Sequence, residues 1–407
     1  METQEKVLDQ AAKPAVNENI IIILLAAINF THIMDFVIMA PLNPILKKEF
    51  GITTTEFSIL VASYTLSAGV SGIISSFFID KYDRKTALIM LYLGFAVSNL
   101  CCALAPDYLI FLISRVIAGF FGGILAALIF SIIGDVIPPQ RRGKAMGIVM
   151  SAFSAASVIG IPIGLHLADT MGWNAPFMLL TVLSGIVLVF CYRMFPSLTG
   201  HMTAKKNPPL EMILSVLRNP NLVWSLSFTA LLMLAGFSVV PFLSDFLVAN
   251  AGLKPSDLRL VYFFGGLATA VSGPLVGRLA DKFGKQRVFV IAAIVSIAPM
   301  LIVTNMPQLS LTLTLVYTTI FFICFGSRFV PAIALVTGSV SHQQRGSFMS
   351  INSSVQQLAS SVAAFGAGVA LVNTADGQVI NFNYVGYFAC AAIVACVWIS
   401  YKIKQVS

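Results

Sequence analysis

Some twelve apolar runs set what this chain can fold into: residues 20–45, 55–79, 86–106, 108–134, 144–168, 174–195, 221–249, 256–278, 287–305, 308–340, 346–372 and 383–403. A helix needs about 20 apolar residues to cross the hydrocarbon core of a bilayer. Inside that core every backbone donor and acceptor must be satisfied by the chain itself, which leaves helices for segments of this kind. The composition agrees. Charged residues make up 10% of the 407 positions and hydrophobic ones 57%, whereas a soluble domain carries about 25% charge. Too little charge is present to cover a water-facing surface. The first run follows 18 polar residues, exceeds the length of a signal peptide and has no small-residue cleavage site behind it, so it reads as an uncleaved span. The six cysteines all lie in apolar runs and form no CxxC pair, which points to neither a disulfide framework nor a zinc site.

The net charge of +8 is distributed by side. With the N-terminus in the cytoplasm, 19 of the 25 Lys and Arg fall on the cytoplasmic side. Four (Lys47, Lys48, Lys254 and Arg259) fall outside, and Arg115 and Arg328 lie within the membrane. Basic residues concentrate in cytoplasmic loops, so both termini are expected inside. The basic excess is then a topology signal, not a footprint for nucleic acid. The longest polar break, from Arg193 to Asn221, holds Pro196, Lys205, Lys206, Pro208, Pro209 and Arg218. It divides the chain into an N-terminal six-helix bundle (1–195), a cytoplasmic central loop (196–220) and a C-terminal six-helix bundle (221–407).

The two parts resemble each other. The stretch Gly72 to Lys85 matches Gly273 to Gln286 at an offset of 201, and at that offset Gly51 meets Gly252 and Glu56 meets Asp257. Gln140-Arg-Arg142-Gly143 matches Gln343-Gln-Arg345-Gly346 at an offset of 203. Two six-helix units that start on the same side form a parallel repeat about an axis along the membrane normal, an architecture that places a substrate site near the midplane between the units.

Gly277-x-Leu279-Ala280-Asp281-Lys282-x-Gly284-Lys285 resembles the signature loop of the major facilitator superfamily. The first copy keeps Asp80, Arg84 and Lys85, with Ser76 and Asp83 where glycines are usual. Three features resemble the twelve-helix drug:proton antiporter branch and its sugar-efflux relatives. These are Asp35 followed by Pro41 and Pro44 in the first span, Arg115-x-x-x-Gly119 in the fourth, and Gly160-Ile-Pro162-Ile-Gly164 in the fifth. The last departs from the branch's form at Ile161, Leu165 and His166. Ser327-Arg328-Phe-Val-Pro331-Ala332 is also similar to efflux permeases of this branch. The resemblance implies an all-α integral membrane fold of about twelve transmembrane helices in two six-helix bundles. It implies a multi-pass inner-membrane transporter, not an enzyme, which exports a small drug-, sugar- or metabolite-like molecule by alternating access. A proton gradient would supply the energy, with no cofactor. The implied partners are the substrate, protons and membrane lipids, with no nucleic acid, and the implied state is a monomer. A facilitator, an importer or a lipid flippase on the same fold, or a non-transporting sensor, are the alternatives. The sequence shows no phosphate-binding loop, HExxH motif or nucleophile elbow.

Ionisable residues within spans are costly and read as functional by default. Asp35 lies about 22 Å into the first span and Arg115 about 10 Å into the fourth, entered from the other side. Both therefore sit at similar depth in the outer half, and the resemblance puts those two spans side by side. Burial favours the neutral carboxyl and a nearby guanidinium favours the carboxylate, so movement of Arg115 would change whether Asp35 holds a proton. A static salt bridge is the plainer reading. His32 shares a helix face with Asp35 and is either a proton relay or a packing histidine. Arg328 has no acidic partner at its depth. It suits an anionic or hydrogen-bond-accepting substrate, or else it is satisfied by backbone carbonyls near Pro331. Asp245 is placed near the outer end of the seventh span.

Ser353, Gln356, Gln357 and Ser360 make a polar stripe on one face of the eleventh span, which lines a cavity or joins two helices. Tyr64 and Phe237 are candidate apolar lining beside it. Gly119 with Gly123, Gly160 with Gly164, and Gly273 with Gly277 are small-xxx-small patterns that allow close helix approach. Pro162 predicts a kink in the fifth span, so Gly160, Pro162 and Gly164 form a candidate hinge. By the resemblance, Asp80, Arg84, Asp281 and Lys285 are inner-gate charges, with Arg142 and Arg345 as their natural partners. Plain positive-inside topology accounts for part of the same charge.

Overall fold

The computed structural model describes residues 18–203, 209–341 and 345–406. Lys205, Lys206, Pro208, His342 and Gln343 lie outside the described residues. Eleven helices among the described residues are long and apolar enough to cross a membrane. The missing twelfth run is present as a helix, Arg345–Ala370. Its serines, glutamines and asparagine dilute its apolar character, so it is a span by position and length more than by composition.

Helix ends fall where the apolar runs stop, and local chemistry fixes them. Thr53 and Glu56 close a capping box at the start of Thr54–Ser75, satisfying two otherwise unpaired N–H groups. The Asp107 carboxylate accepts the Ile110 N–H at 2.9 Å and starts Tyr108–Val136. Gly51 ends the first span in the left-handed region at φ 62°, which glycine adopts without steric penalty. Within the segment expected as a central loop, Pro209–Arg218 forms a short helix. A two-residue antiparallel ladder pairs Val372–Asn373 with Val379–Ile380 between the last two spans.

Two spans are broken at equivalent places. The first is Glu18–Val37 continued by Met39–Phe50, and the seventh is Pro220–Phe237 continued by Val240–Ala249. The breaks, at Ile38 and at Ser238–Val239, share the 201-residue offset of the sequence repeat. Each is followed within three residues by a proline, Pro41 and Pro241, which removes a helical hydrogen bond. The fifth span breaks differently: Pro139–Ala155 passes through a π-helical turn, Ala156–Gly160, before Ile161–Met171. The expected kink is therefore a π-bulge directly ahead of Pro162, a common cause of helix bending. Its repeat counterpart, Arg345–Ala370, runs unbroken.

Glycines set several crossings. Gly119 and Gly123 lie against the backbone of Tyr64 and Ala68, and Gly160 and Gly164 meet Met34 and Ile38. Gly273 faces open space and Gly277 has only an ordinary contact with Val330. The third glycine pair therefore does not mediate the close approach expected of it.

Candidate functional site

Asp35 stands three residues before the break at Ile38, and Arg115 stands two turns into Tyr108–Val136. The fold brings them together. Arg115 Nη1 donates to Asp35 Oδ1 at 2.5 Å, with both side chains at most 1% exposed. The guanidinium lies over the Tyr64 ring, 4.3 Å from its centre. Asp35 Oδ2, Arg115 Nε, Tyr64 OH and both ring nitrogens of His32 are buried without a partner. Gly122 lets them come close. A Cβ there would lie 2.9 Å from both His32 Nε2 and Tyr64 OH, so the absence of a side chain allows both groups to pack against the helix that carries Arg115.

An aromatic bridge runs from this pair to the other half. Tyr64 meets Phe36 at 5.8 Å between ring centres, and Phe36 meets Phe237 at 5.4 Å. Phe36 was not singled out by sequence. Its only signal is its place next to Asp35, which a chain with 31 phenylalanines does not set apart. Beyond Phe237, the Phe325 ring comes within 2.9 Å of where a Cβ of Gly236 would sit.

Arg328 is 1% exposed and none of its three guanidinium nitrogens has a partner. The backbone carbonyls near Pro331 do not take it up. Its one described contact is the Phe325 ring, 5.2 Å from ring centre to guanidinium carbon. The eleventh-span stripe divides. Ser353 and Gln357 line a narrow cleft with Ala68, Gly72 and Gly123. Gln356 lines a second narrow cleft with Phe228, Thr229 and Phe329. Ser360 turns away and donates to the Gln356 carbonyl. The stripe thus faces clefts and also joins helices: neighbouring Ser361 donates to the Ala62 carbonyl at 2.8 Å, and Ser354 packs against Gly72.

The two faces of the molecule differ in what crosses between its halves. On the face with few basic residues, Lys47 Nζ donates to Asp245 Oδ2 at 2.7 Å and to Thr54 Oγ1 at 2.8 Å, and Thr54 donates to Asn373 at 2.5 Å. Asn43 donates to the Pro241 carbonyl at 2.9 Å. Arg259 reaches His166 at 3.0 Å and Asp169 at 3.6 Å. Asp245 is 5% exposed, so it is a buried latch and not the solvated end-of-span charge expected from sequence. Sequence gave no pairing signal for Lys47, because the repeat aligns Asp245 with Pro44.

On the basic face no ion pair joins the halves among the described residues. Arg84 is buried there and binds Asp80 and Asp135, each at 2.9 Å, all within the N-terminal half. Arg142 donates to the carbonyls of Ile137 and Gly134. It does not take the expected role of partner to the loop carboxylates, because its own helix end supplies unpaired carbonyls within reach. Asp281 is exposed, Lys285 is half-buried and Arg345 Nε has no partner. The four expected gate charges therefore split into an engaged N-terminal set and a C-terminal set with no ion pair among the described residues.

The sequence model of the Major Facilitator Superfamily matches residues 25–364 and again 226–404. An uncharacterized MFS-type transporter of Bacillus subtilis, YceJ, is 24% identical over 86% of this chain and 89% of its own length. A probable sugar efflux transporter of Helicobacter pylori is 21% identical over 90% of both chains. Among solved structures, a D-xylose-proton symporter superposes with a TM-score of 0.78 over 95% of this chain and 99% of its own, at 16% identity. A bacterial homolog of the human lysosomal transporter Spinster, in an inward-facing and unoccupied conformation, does so with a TM-score of 0.71 over 97% and 96%, also at 16% identity. These likenesses agree with the span pattern, the repeat and the buried charges: the chain is a multi-pass membrane transporter, not an enzyme, and belongs to the major facilitator superfamily.

Proposed function

We propose that this transporter exports a small molecule in exchange for protons by alternating access. The observation that carries this reading is the buried Asp35–Arg115 pair at the end of the aromatic bridge between the halves. A buried ion pair is weak as a stabiliser, because desolvation offsets most of its attraction, and an intramembrane ionisable group is a functional candidate for that reason. When Arg115 holds Asp35 the carboxylate keeps its charge. When Arg115 moves away toward a bound molecule, a carboxyl in a low-dielectric setting takes up a proton. Occupancy of the cleft and protonation of Asp35 are thereby linked. His32 and Tyr64, whose polar atoms pack against Gly122 beside the pair, would pass the proton.

The 19-to-four bias of Lys and Arg supports a cytoplasmic basic face with both termini inside, in the inner membrane. The arrangement described is then latched outside by Lys47–Asp245, with no ion pair between the halves on the cytoplasmic side among the described residues. Asp281, Lys285 and Arg345 are left for the closed state of the inner gate, with the fifth-span turn at Gly160–Pro162–Gly164 as the hinge. The likeness to the probable sugar efflux transporter of Helicobacter pylori supports efflux as the direction.

Purified protein in proteoliposomes under an imposed pH gradient tests this. Wild type is expected to drive substrate uphill, and Asp35→Asn to lose gradient-driven flux while retaining exchange of substrate between equal pools. Equal uphill flux in both removes Asp35 from coupling. Flux that never responds to the gradient favours a facilitator.

A further inference from the structure

We infer that the substrate is a small organic monoanion with an apolar, ring-like body, and that Arg328 holds its charge. The inference rests on the export reading and narrows it.

Among the described residues, Arg328 is the one arginine of the spans whose guanidinium is wholly buried and wholly unpartnered. Arginine stays charged at physiological pH and offers five donors in a planar fork that suits carboxylate, sulfonate or phosphate oxygens. A buried charge without a partner is strongly disfavoured, and buried arginines are normally paired. Among the described residues the chain supplies no partner here. Asp35 is taken by Arg115 and Asp245 by Lys47, while Glu56 and Asp257 cap the starts of their helices. The titratable groups around Arg328 are Cys324, Cys390 and Cys396. The missing negative charge is therefore left for a ligand to bring.

The surroundings describe the rest of that ligand. Phe321, Phe325 and Phe329 line up along one helix, with ring centres 5.8 and 5.1 Å apart, and Arg328 lies against the middle ring. Ala332, one turn on from Arg328, and Phe329, one turn on from Phe325, line a cleft with Phe228, Thr229 and Gln356. Its wall is mostly apolar, with hydroxyl and amide groups from Thr229, Asn352 and Gln356. One cation, aromatic faces and a few neutral polar groups fit a single-charged amphipathic molecule better than a polyanion or an uncharged sugar.

Exchange of one such anion for one proton would move positive charge inward on both legs, so a membrane potential negative on the cytoplasmic side would accelerate export. Thermal unfolding of the purified full-length protein with benzenesulfonate, benzenesulfonamide and D-xylose tests the charge. Benzenesulfonate is expected to raise the wild-type Tm with a saturable dose response, and the neutral sulfonamide and the sugar to do much less. Arg328→Gln is expected to weaken the benzenesulfonate response at least tenfold, and Arg328→Lys to keep part of it. The unliganded Tm and a single gel-filtration peak show that each variant is folded. Should Arg328→Gln not fold, the Arg328→Lys comparison carries the test. A wild-type response to the sulfonamide or the sugar equal to that for benzenesulfonate overturns the inference, as does a response unchanged in the variants or no response to benzenesulfonate. Micelles containing phosphatidylglycerol form a separate arm: an Arg328-dependent shift there, without one for benzenesulfonate, would assign the site to a lipid headgroup and overturn the solute. Asp35→Asn should still bind benzenesulfonate. Loss of gradient-driven flux with binding intact therefore separates failure of proton coupling from failure of the anion site.

Discussion

Arg115 and Arg328 occupy opposite halves of the molecule, each 1% exposed and each stacked over an aromatic ring. They differ in one respect. Arg115 has a carboxylate on a neighbouring span, and Arg328 has none. In the N-terminal half the counter-charge belongs to the protein and can be switched by a proton. In the C-terminal half it is left to whatever enters the cleft. Two similar residues thus divide coupling from recognition, and the aromatic bridge through Tyr64, Phe36 and Phe237 connects them.

The contrast makes opposite predictions for removing a charge. Asp35→Ala strands Arg115 and is expected to destabilise the protein by about 3–5 kcal/mol, most of it recovered in Asp35→Ala/Arg115→Met. Arg328→Met removes a charge already stranded, so unfolding in micelles should show stability unchanged or increased. Equal losses for Asp35→Ala and Arg328→Met would break the comparison. Next in size is the latch between the halves. Lys47→Met leaves Asp245 buried and alone, costing up to about 3 kcal/mol, and the cost falls only on the arrangement in which the latch is closed. Spin-label distances across the two faces should shift toward opening at the Lys47 end. Unchanged distances would show that the latch does not bias the equilibrium. Gly122→Ala pushes a methyl into the contact with His32 and Tyr64 and is expected to cost about 1–3 kcal/mol through overpacking. It should slow gradient-driven flux while leaving benzenesulfonate binding at Arg328 intact. The smallest effect belongs to the loops. Asp281→Asn, at an exposed unbridged carboxylate, should stay within about 0.5 kcal/mol of wild type. Asp80→Asn, which loosens the buried Arg84, should cost more. Equal effects would contradict the asymmetry of the two gate loops.

Much of the fold is legible in the chain because a bilayer imposes one length and one hydrogen-bonding rule on every span. Expected and observed span ends mostly agree to within a few residues, and the 201-residue repeat reappears as matched breaks at Ile38 and Val239. Asp35 and Arg115 stand out because charge is scarce in the spans, and they do meet. What the sequence conceals is pairing between elements distant in the chain. Lys47 reads as a loop lysine until it reaches Asp245, 198 residues away. Phe36 is one of 31 phenylalanines until Phe237 meets it. The polar stripe predicts a face, but only helix packing decides that Gln356 and Gln357 enter different clefts. The failure of the Gly273–Gly277 pattern has the same origin: spacing permits a close crossing, and only a neighbour makes one.

The broken first span gives the latch mechanical leverage. Its second piece, Met39–Phe50, holds 12 residues and is therefore about 18 Å long. Lys47 rides near the far tip and the break at Ile38 serves as pivot. A swing of about 10° about that pivot displaces the tip by about 3 Å, from the same rise per residue. Added to the 2.7 Å Lys47–Asp245 separation, a displacement of that order takes the pair beyond ion-pair range. A rotation too small to disturb Asp35, which sits on the pivot's other side, suffices to unlock the rim.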